Sequence, residues 1–432
     1  QIVKTTLGPM GMDKMLIDNL GETVITNDGV KILKEMEIEH PGAKMLVEVA
    51  KTQESEVGDG TTTAVILSGD MLSNAQELFK KKIHPTIIIK GYKKASQKAL
   101  DILDKNSIEI DINNEKVIRD ICETAMTGKV AEQSKEKLSE IIYEATKLVK
   151  EKEQIPKDSI KIQKLPGGET TDSFIIKGLA IDKKLASSNM PTKKENANIL
   201  LIDFPLEVRE LDSDANVTIN TPEDYQNFIE QEQNYLKNLA YRIKEIGADI
   251  VVCQKGIDDN VAYYLAKEGI MALRRTRKSD MEKLSKAICK PVINSIEDLQ
   301  KHNLGKAKNV EQKYILDESF VFIEGMENPK AITLFLKAST KHVLDEIERA
   351  TEDAIGDINS LLKTKKIVAG GGAIEIELYK ELLKYSKTLD GREQLVVEYF
   401  ANSFLSIPKS LCENCGLDEI ETIAKLISNH EK

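Results

Sequence analysis

The chain has 432 residues and a formal net charge of −10 at pH 7, with 41% hydrophobic and 31% charged residues. At roughly 100–200 residues per domain, this length predicts two to four domains. No apolar run approaches the roughly 18 residues of a membrane span, and no secretory signal is seen. We therefore expect a cytoplasmic protein without a membrane partner. The acidic balance disfavours nucleic acid as a partner, because such binding depends on Lys and Arg side chains that neutralise phosphates.

The beginning and the end of the chain are predicted to hold short elements. Residues 1–6 resemble the end of a helix, and Met12–Leu16 is expected to be helical after a glycine turn. The strand-like Glu22–Thr26 is followed by Asn27–Gly29, and Asn-Asp-Gly favours a hairpin turn. Ile423–Lys432 resembles a helix that continues, so we expect both ends of this chain to lie inside a domain.

Long helices are predicted over the rest of the first third. Apolar residues recur with helical spacing over Ala43–Glu54 and Thr61–Phe79. Pro85 begins a third helix, because a proline at the first helical position costs no hydrogen bond. Residues 113–160 continue as helices, with Lys and Glu four residues apart on the outer face.

Buried strands are predicted after Ser159. Short apolar runs bounded by polar turns, with helical patterns among them, are typical of an α/β layer domain. These runs are Ile160–Lys164, Phe174–Gly178, Ile199–Asp203 and Asp249–Gln254.

An acidic insert interrupts this region. Residues 205–235 contain eight acidic residues and one base, Arg209. Thr221 and Pro222 predict a helix start, since Thr caps helices well and Pro suits the first position. We expect the helix to end near Gly247 and to project into solvent.

The helical pattern returns after Thr340, and Lys366–Ala369 leads into Gly370–Gly372 and another helix. The simplest organisation is therefore nested. The two ends of the chain form one helical domain around an α/β domain, and residues 113–182 with 338–368 join them.

The five cysteines are scattered and odd in number, so they predict no disulfide framework. Cys412 and Cys415 have the spacing of a redox or zinc pair, but no second pair completes a four-cysteine site. We interpret them as structural. The histidines show neither metal-ligand spacing nor a catalytic triad pattern.

The segment Gly58–Thr63 is a glycine turn that runs directly into an apolar helix. Helix starts favour anions, and glycine lets backbone approach a phosphate closely. Asp59 suits magnesium, which typically takes one or two carboxylates together with phosphate oxygens. The residues alone leave two alternatives open, a phosphate site and a helix cap without a ligand.

Three further glycine turns are, taken one by one, weaker indications of a phosphate site. They are Thr6–Gly11, Thr26–Gly29 and Gly370–Gly372. The sequence lacks the GxxxxGK[ST] pattern, so it does not predict a P-loop ATPase.

Together, these four turns resemble the group II chaperonins, the family of the archaeal thermosome subunits and the eukaryotic CCT complex, and the archaeal branch is the more similar. The resemblance covers essentially the whole chain. Further matching segments are His40–Pro41, Val49–Gln53, His84–Thr86, Gln254–Asp259, Arg274–Arg275, Lys278–Leu284 and Gly391–Gln394.

The resemblance implies a multi-domain α and α/β chaperonin fold. Its parts would be a mainly helical equatorial domain (1–112 and 369–432), an α+β intermediate domain (113–182 and 338–368) and an α/β apical domain (183–337) with a helical lid protrusion at about 205–235. It also implies an ATP-dependent chaperone that uses Mg²⁺. Its partners would be identical or paralogous subunits in a double ring and unfolded polypeptides enclosed by lid closure.

The resemblance also implies site residues. Nucleotide contacts would come from Leu7, Gly8, Pro9, Asp28, Gly29, Gly60, Thr61, Thr62, Thr63, Gly128, Lys129, Gly370 and Gly371. Asp59 would hold the metal, and Lys129 would reach the γ-phosphate. Asp353, with Asp28 as its partner, would activate water, because phosphoryl transfer needs positioning and a carboxylate that orients the nucleophile.

Client contacts are implied for the loop Leu206–Leu211, with Leu206 and Val208, and for the helix Asp258–Lys267. In that helix Tyr263 and Tyr264 are either contact or core residues, and the sequence leaves both open.

Three departures from the family pattern stand out. Met10 occupies a position where Lys is common, and Lys337–Thr340 replaces a usual glycine pair at a hinge. The family's later equatorial segment is not in this sequence, so weak nucleotide binding and poor assembly are expected. The rival hypothesis is a polypeptide-binding module that does not turn over ATP.

Overall fold

The computed structural model describes residues 2–17, 21, 23–36, 38–156, 159–208, 222–315, 318–326 and 331–430. The chain divides into two compact units. Unit 1 comprises Gln1–Tyr143, Lys152–Gln154 and Thr340–Lys432, and unit 2 comprises Glu144–Glu151 and Ile155–Ser339. The finer division into three domains stays a prediction. Among the described helices, none is both long and apolar enough to cross a membrane.

The described α-helices, in chain order, are α1 (Gly29–Glu35), α2 (Pro41–Glu56), α3 (Thr61–Lys80), α4 (Pro85–Asn106), α5 (Glu115–Met126), α6 (Lys135–Val149), α7 (Pro222–Glu245), α8 (Asp259–Lys267), α9 (Lys278–Ile288), α10 (Lys341–Thr364), α11 (Ala373–Ser386), α12 (Gly391–Asn402), α13 (Ser406–Asn414) and α14 (Glu419–Asn429).

The described strands are β1 (Lys14–Ile17), β2 (Thr23–Thr26), β3 (Ile108–Glu109), β4 (Ile160–Pro166), β5 (Phe174–Ile176), β6 (Gly178–Asp182), β7 (Lys193–Ile202), β8 (Ile250–Cys253), β9 (Met271–Leu273), β10 (Gly305–Ile315), β11 (Glu318–Glu324), β12 (Ile332–Ala338) and β13 (Lys366–Ile367).

Unit 1 is built mainly from packed helices. Helix α4 lies against α11 and α12, and small residues on α4 allow this close approach. A Cβ added to Gly91 would lie 2.5 Å from the Val396 side chain of α12, so glycine is required there. Tyr92 and Phe400 make an edge-to-face contact in the same interface, with ring centroids 5.1 Å apart.

Unit 2 contains a six-stranded sheet in the order β6-β11-β10-β7-β8-β9. The segments of β7, β8 and β9 that pair in parallel are apolar and buried, which is typical of a sheet covered on both faces; they are Ile199–Ile202, Ile250–Cys253 and Met271–Leu273. Helix α9 covers one face through Met281 and Leu284, and α7 and α8 cover the other. The predicted strands are confirmed, with β4 and β5 in a separate three-stranded sheet with β12. The helix Pro222–Glu245 is confirmed, whereas the predicted cap Thr221 lies outside the described residues. The prediction that this helix projects into solvent is wrong for its second half, where Leu236, Leu239 and Ile243 are buried in the core.

Two local predictions at the start of the chain are wrong. The predicted helix Met12–Leu16 is largely strand β1, which pairs antiparallel with β2 and places Leu16 opposite Val24. Asn27–Gly29 is not a hairpin turn. Asp28 instead caps α1, because its carboxylate accepts hydrogen bonds from the Val30 and Lys31 amides at 3.0 and 3.3 Å.

Candidate functional site

A cleft of about 590 Å³ lies in unit 1, where the four glycine turns meet the helices α5 and α10. Its described lining residues are Thr6, Leu7, Gly8, Pro9, Asn27, Asp28, Asp59, Gly60, Thr61, Thr62, Thr63, Thr124, Ala125, Thr127, Gly128, Lys129, Glu346, Arg349, Ala350, Asp353, Asp357 and Gly371.

The turn before α3 forms one wall. Gly60 caps α3 in the left-handed region with φ +75°, a conformation that L side chains adopt only at a cost. Gln53 supports the turn by donating a hydrogen bond of 2.9 Å from its side-chain amide to the Asp59 carbonyl. The first turn of a helix leaves backbone N–H groups without intrahelical partners, so this wall suits an anion.

The first glycine turn forms a second wall against the loop after α5. A Cβ on Gly128 would lie 2.4 Å from the Pro9 Cα, so the two loops pack backbone to backbone. Asn414 of α13 holds the first turn from behind, since its side-chain amide donates to the Leu7 carbonyl at 2.8 Å. The sequence did not point to Asn414.

The third turn packs on the first turn of α3. A Cβ on Gly29 would lie 2.5 Å from the Thr62 hydroxyl oxygen, so only glycine allows this contact. Asp28 uses its carboxylate to cap α1 and still lines the cleft. Gly371 also lines it, whereas Gly370 is not among the lining residues.

Helix α10 closes the cleft with one charged face. Glu346, Arg349, Asp353 and Asp357 are three or four residues apart and therefore share a side of the helix. Asp353 forms an ion pair with Lys129. Arg349 pairs with Glu346 and donates a hydrogen bond of 2.7 Å to the Thr26 hydroxyl.

The electrostatics of the cleft follow from burial and crowding of carboxylates. Burial raises the pKa of Asp353 to about 7; Lys129 opposes this shift and Asp59 adds to it. Burial also raises the pKa of Asp357 to about 7, with contributions from Asp59 and Asp353. Burial alone would lower the pKa of Lys129, but Asp353, Asp59 and Asp28 together raise it, so this amine stays charged at neutral pH.

The carboxylates of the cleft suit magnesium only when phosphate oxygens complete its coordination. Among the described residues, no group of three or more His, Cys, Asp or Glu side chains is arranged to hold a metal on its own. Magnesium prefers oxygen ligands and typically combines one or two carboxylates with phosphate oxygens. Asp59, beside the phosphate-compatible turn, is therefore a fitting carboxylate for a nucleotide-bound magnesium ion.

The predicted client-contact residues differ in exposure. Leu206 was predicted to face clients, and this is wrong for the conformation described: its side chain is fully buried and packs in the core beneath α7 and α8. Val208 and Tyr263 are 38% and 55% exposed, and Tyr264 is packed partly against that core. Residues 209–211 of the predicted loop lie outside the described residues.

All five cysteines are free thiols in the structure. Cys412 is buried in α13, whereas Cys415 is exposed, and the structural interpretation of the pair stays a prediction. Burial raises the pKa of Cys412, and it raises the pKa values of Cys122 and Cys253 to about 12.

We expect a maleimide to label two cysteines in the native protein, because Cys289 and Cys415 are exposed whereas the other three are buried and poorly ionised. Mass spectrometry after labelling checks this, and labelling in denaturant provides the control with five modified sites. Rapid native labelling of Cys412 would contradict the described packing.

Comparison with known proteins gives a consistent result over the whole chain. The model of the TCP-1/cpn60 chaperonin family matches residues 1–432. The thermosome subunit of Pyrococcus horikoshii is 50% identical over 436 residues, covering 100% of this chain and 79% of that protein. The thermosome subunits beta and alpha of Methanothermobacter thermautotrophicus are 50% and 48% identical and are covered to 80% and 79% of their lengths, in both cases by 100% of this chain.

Proposed function

This chain belongs to the TCP-1/cpn60 chaperonin family, as a chaperone of the group II type with the chaperonin α and α/β fold, and we propose that it binds and hydrolyses ATP in the cleft of unit 1. The observation that carries the proposal is the ion pair between Lys129 and Asp353, which lines the same cleft as the N-terminus of α3. A cation, a carboxylate and a helix start that face one cleft are the components that phosphoryl transfer requires.

The phosphates would lie against the turn Gly60–Thr63 and against Leu7–Pro9. Gly29 packs against Thr62 and Gly128 against Pro9, with no room for a side chain at either glycine. Gly371, at a positive φ of 68°, would lie beneath the nucleoside. Asp59 would hold Mg²⁺, which supplies charge to neutralise the phosphate oxygens when it is bound.

Asp353 would act as the carboxylate that orients water. In the described state it is paired with Lys129. When a γ-phosphate competes for the Lys129 ammonium, Asp353 is released to accept a proton from water. The water oxygen then forms a bond to the γ-phosphorus, the bond to the β–γ bridging oxygen breaks, and ADP leaves with that oxygen. A carboxylate with a pKa near 7 suits this role better than one with an ordinary value. Asp28, which lines the same cleft, would assist in placing the water.

The chaperone activity would use unit 2 for client binding. Val208 and Tyr263 present apolar surface on its loops and helix α8. We propose that identical or paralogous subunits assemble into a double ring and that hydrolysis drives lid closure over an unfolded polypeptide. The similarity to relatives called alpha and beta subunits supports an assembly of paralogues.

We expect the protein to release phosphate from ATP only when Mg²⁺ is present. Asp59 and the other carboxylates of the cleft repel the phosphates of a nucleoside triphosphate unless a divalent cation is bound. Steady-state phosphate release with Mg²⁺ or with EDTA measures this. Excess Mg²⁺ added back to the EDTA sample is the control. No turnover under any of these conditions, together with retained binding of unfolded polypeptide, would favour a binding module that does not cycle.

A further inference from the structure

Two glycines face each other where α10 meets the loop after α2. Gly58 has a φ of +97°, and a Cβ added to it would lie 2.8 Å from the Gly356 Cα. A Cβ added to Gly356 would lie 2.8 Å from the Gly58 Cα and 2.9 Å from the Val57 carbonyl oxygen. The helix and the loop are therefore in direct backbone contact, with no room for a side chain on either partner.

The position of Gly356 is costly for the helix itself. It lies in the interior of α10, where glycine is less favourable than alanine. Helix propensity therefore does not account for this glycine, whereas the contact with the loop does. One turn later, the Ser360 hydroxyl donates a hydrogen bond of 3.2 Å to the Val57 carbonyl, so two successive turns of α10 hold the same loop.

Both partners carry residues of the proposed ATP site. The loop contains Asp59 and leads into the first turn of α3. Helix α10 contains Asp353 just before Gly356 and Asp357 just after it. The distance between helix and loop consequently sets how far Asp353 lies from the phosphate-binding turn.

We propose that Gly58 and Gly356 form a positioning pair. Their backbone contact sets the distance between α10 and the loop after α2, and it thereby places Asp353 for catalysis. This inference rests on the proposed ATP hydrolysis. A methyl group on Gly356 pushes α10 away from the loop, and Asp353 withdraws with it. The turns Leu7–Pro9 and Gly60–Thr63 are left in place, so the affinity for nucleotide is retained while turnover falls.

The test compares Gly356→Ala with Gly69→Ala in the full chain. Gly69 is a matched control, because it also lies inside a helix, α3, and a Cβ there meets no atom within 4 Å. We expect Gly356→Ala to lower kcat for phosphate release at least 10-fold, with the Kd for Mg-ATP within about twofold of the wild-type value. Gly69→Ala should leave both unchanged. A kcat of Gly356→Ala within twofold of the wild type, or a parallel loss of affinity and kcat, would overturn the inference.

A second measurement does not depend on turnover. The amides of Val57 and Gly58 donate to the Gln53 carbonyl at 3.0 and 3.3 Å. We expect hydrogen exchange at these amides to become at least 10-fold faster in Gly356→Ala and to stay unchanged in Gly69→Ala. If the wild type releases no phosphate, the proposed function fails, and the exchange rates alone decide whether the glycine pair fixes the loop. Unchanged exchange in Gly356→Ala overturns the pairing itself.

Discussion

Replacing Asp353 by asparagine is expected to lower kcat for phosphate release by about 100-fold or more, the scale of a lost general base. Asparagine keeps the size of the side chain but cannot accept a proton from water. Since the phosphate-binding turns do not involve this carboxylate, the Kd for Mg-ATP should change only a few-fold. Phosphate release and equilibrium nucleotide binding, measured on the same preparation, separate the two effects.

Glu352→Gln is the matched control for this variant. It removes one carboxylate charge from the adjacent position of α10, but Glu352 is exposed and does not line the cleft. We expect it to retain wild-type turnover. Equal rates for Asp353→Asn and the wild type would remove Asp353 from the mechanism, and equal losses in both variants would indicate a general effect of charge on α10.

The sequence predicted the phosphate-compatible turns because glycine patterns are local. Gly58–Thr63 followed by an apolar helix is visible within a few residues, and the helix α3 is confirmed. The lining residues that α10 contributes could not be predicted from a local pattern. Asp357 and Arg349 look like ordinary helical charges, and only the tertiary packing of α10, on α5 and on the loop after α2, brings them to the cleft. The spacing of Glu346, Arg349, Asp353 and Asp357 on one helix face was the available signal.

The wrong local predictions share a physical cause. Met12–Leu16 has no strong helical pattern of its own, and pairing with β2 determines its strand conformation. The Asn-Asp-Gly segment favours a turn, yet Asp28 satisfies two amides of α1 and so begins a helix instead. Leu206 was assigned by position in a loop, but its apolar side chain is stabilised more by the core beneath α7 and α8 than by solvent exposure.

The described cleft is rich in negative charge. Its lining includes the carboxylates of Asp28, Asp59, Glu346, Asp353 and Asp357, against the cations Lys129 and Arg349. Without a metal or nucleotide, such crowding destabilises the folded state, because partly buried like charges repel and lose hydration. This unfavourable free energy is relieved when a proton or a divalent cation neutralises a carboxylate. This unfavourable repulsion among the carboxylates is what we expect of a site that functions with a bound cation.

Replacing Asp357 by asparagine is therefore expected to stabilise the nucleotide-free, metal-free protein at pH 8. The pKa of Asp357 is raised to about 7 in the folded protein from an ordinary value of 3.8. The folded state holds this proton more tightly than the unfolded state, so stability falls as the pH rises from about 4 to about 7 and stays low above that range. With allowance for partial exposure and for coupling to Asp353, the gain in the free energy of unfolding is about 2 kcal/mol at pH 8.

Thermal unfolding in EDTA at pH 5 and pH 8 measures this effect. For a unit of this size, about 2 kcal/mol corresponds to a rise of roughly 4–8 °C in the unfolding midpoint. Most of the rise should disappear at pH 5, where the folded wild type already carries a proton on Asp357. Glu352→Gln removes an exposed carboxylate from the same helix, α10, and should show no comparable rise in the unfolding midpoint at either pH. A gain that is equal at both pH values would mean that the amide packs better than the carboxyl group, and would contradict repulsion among the cleft carboxylates as the cause.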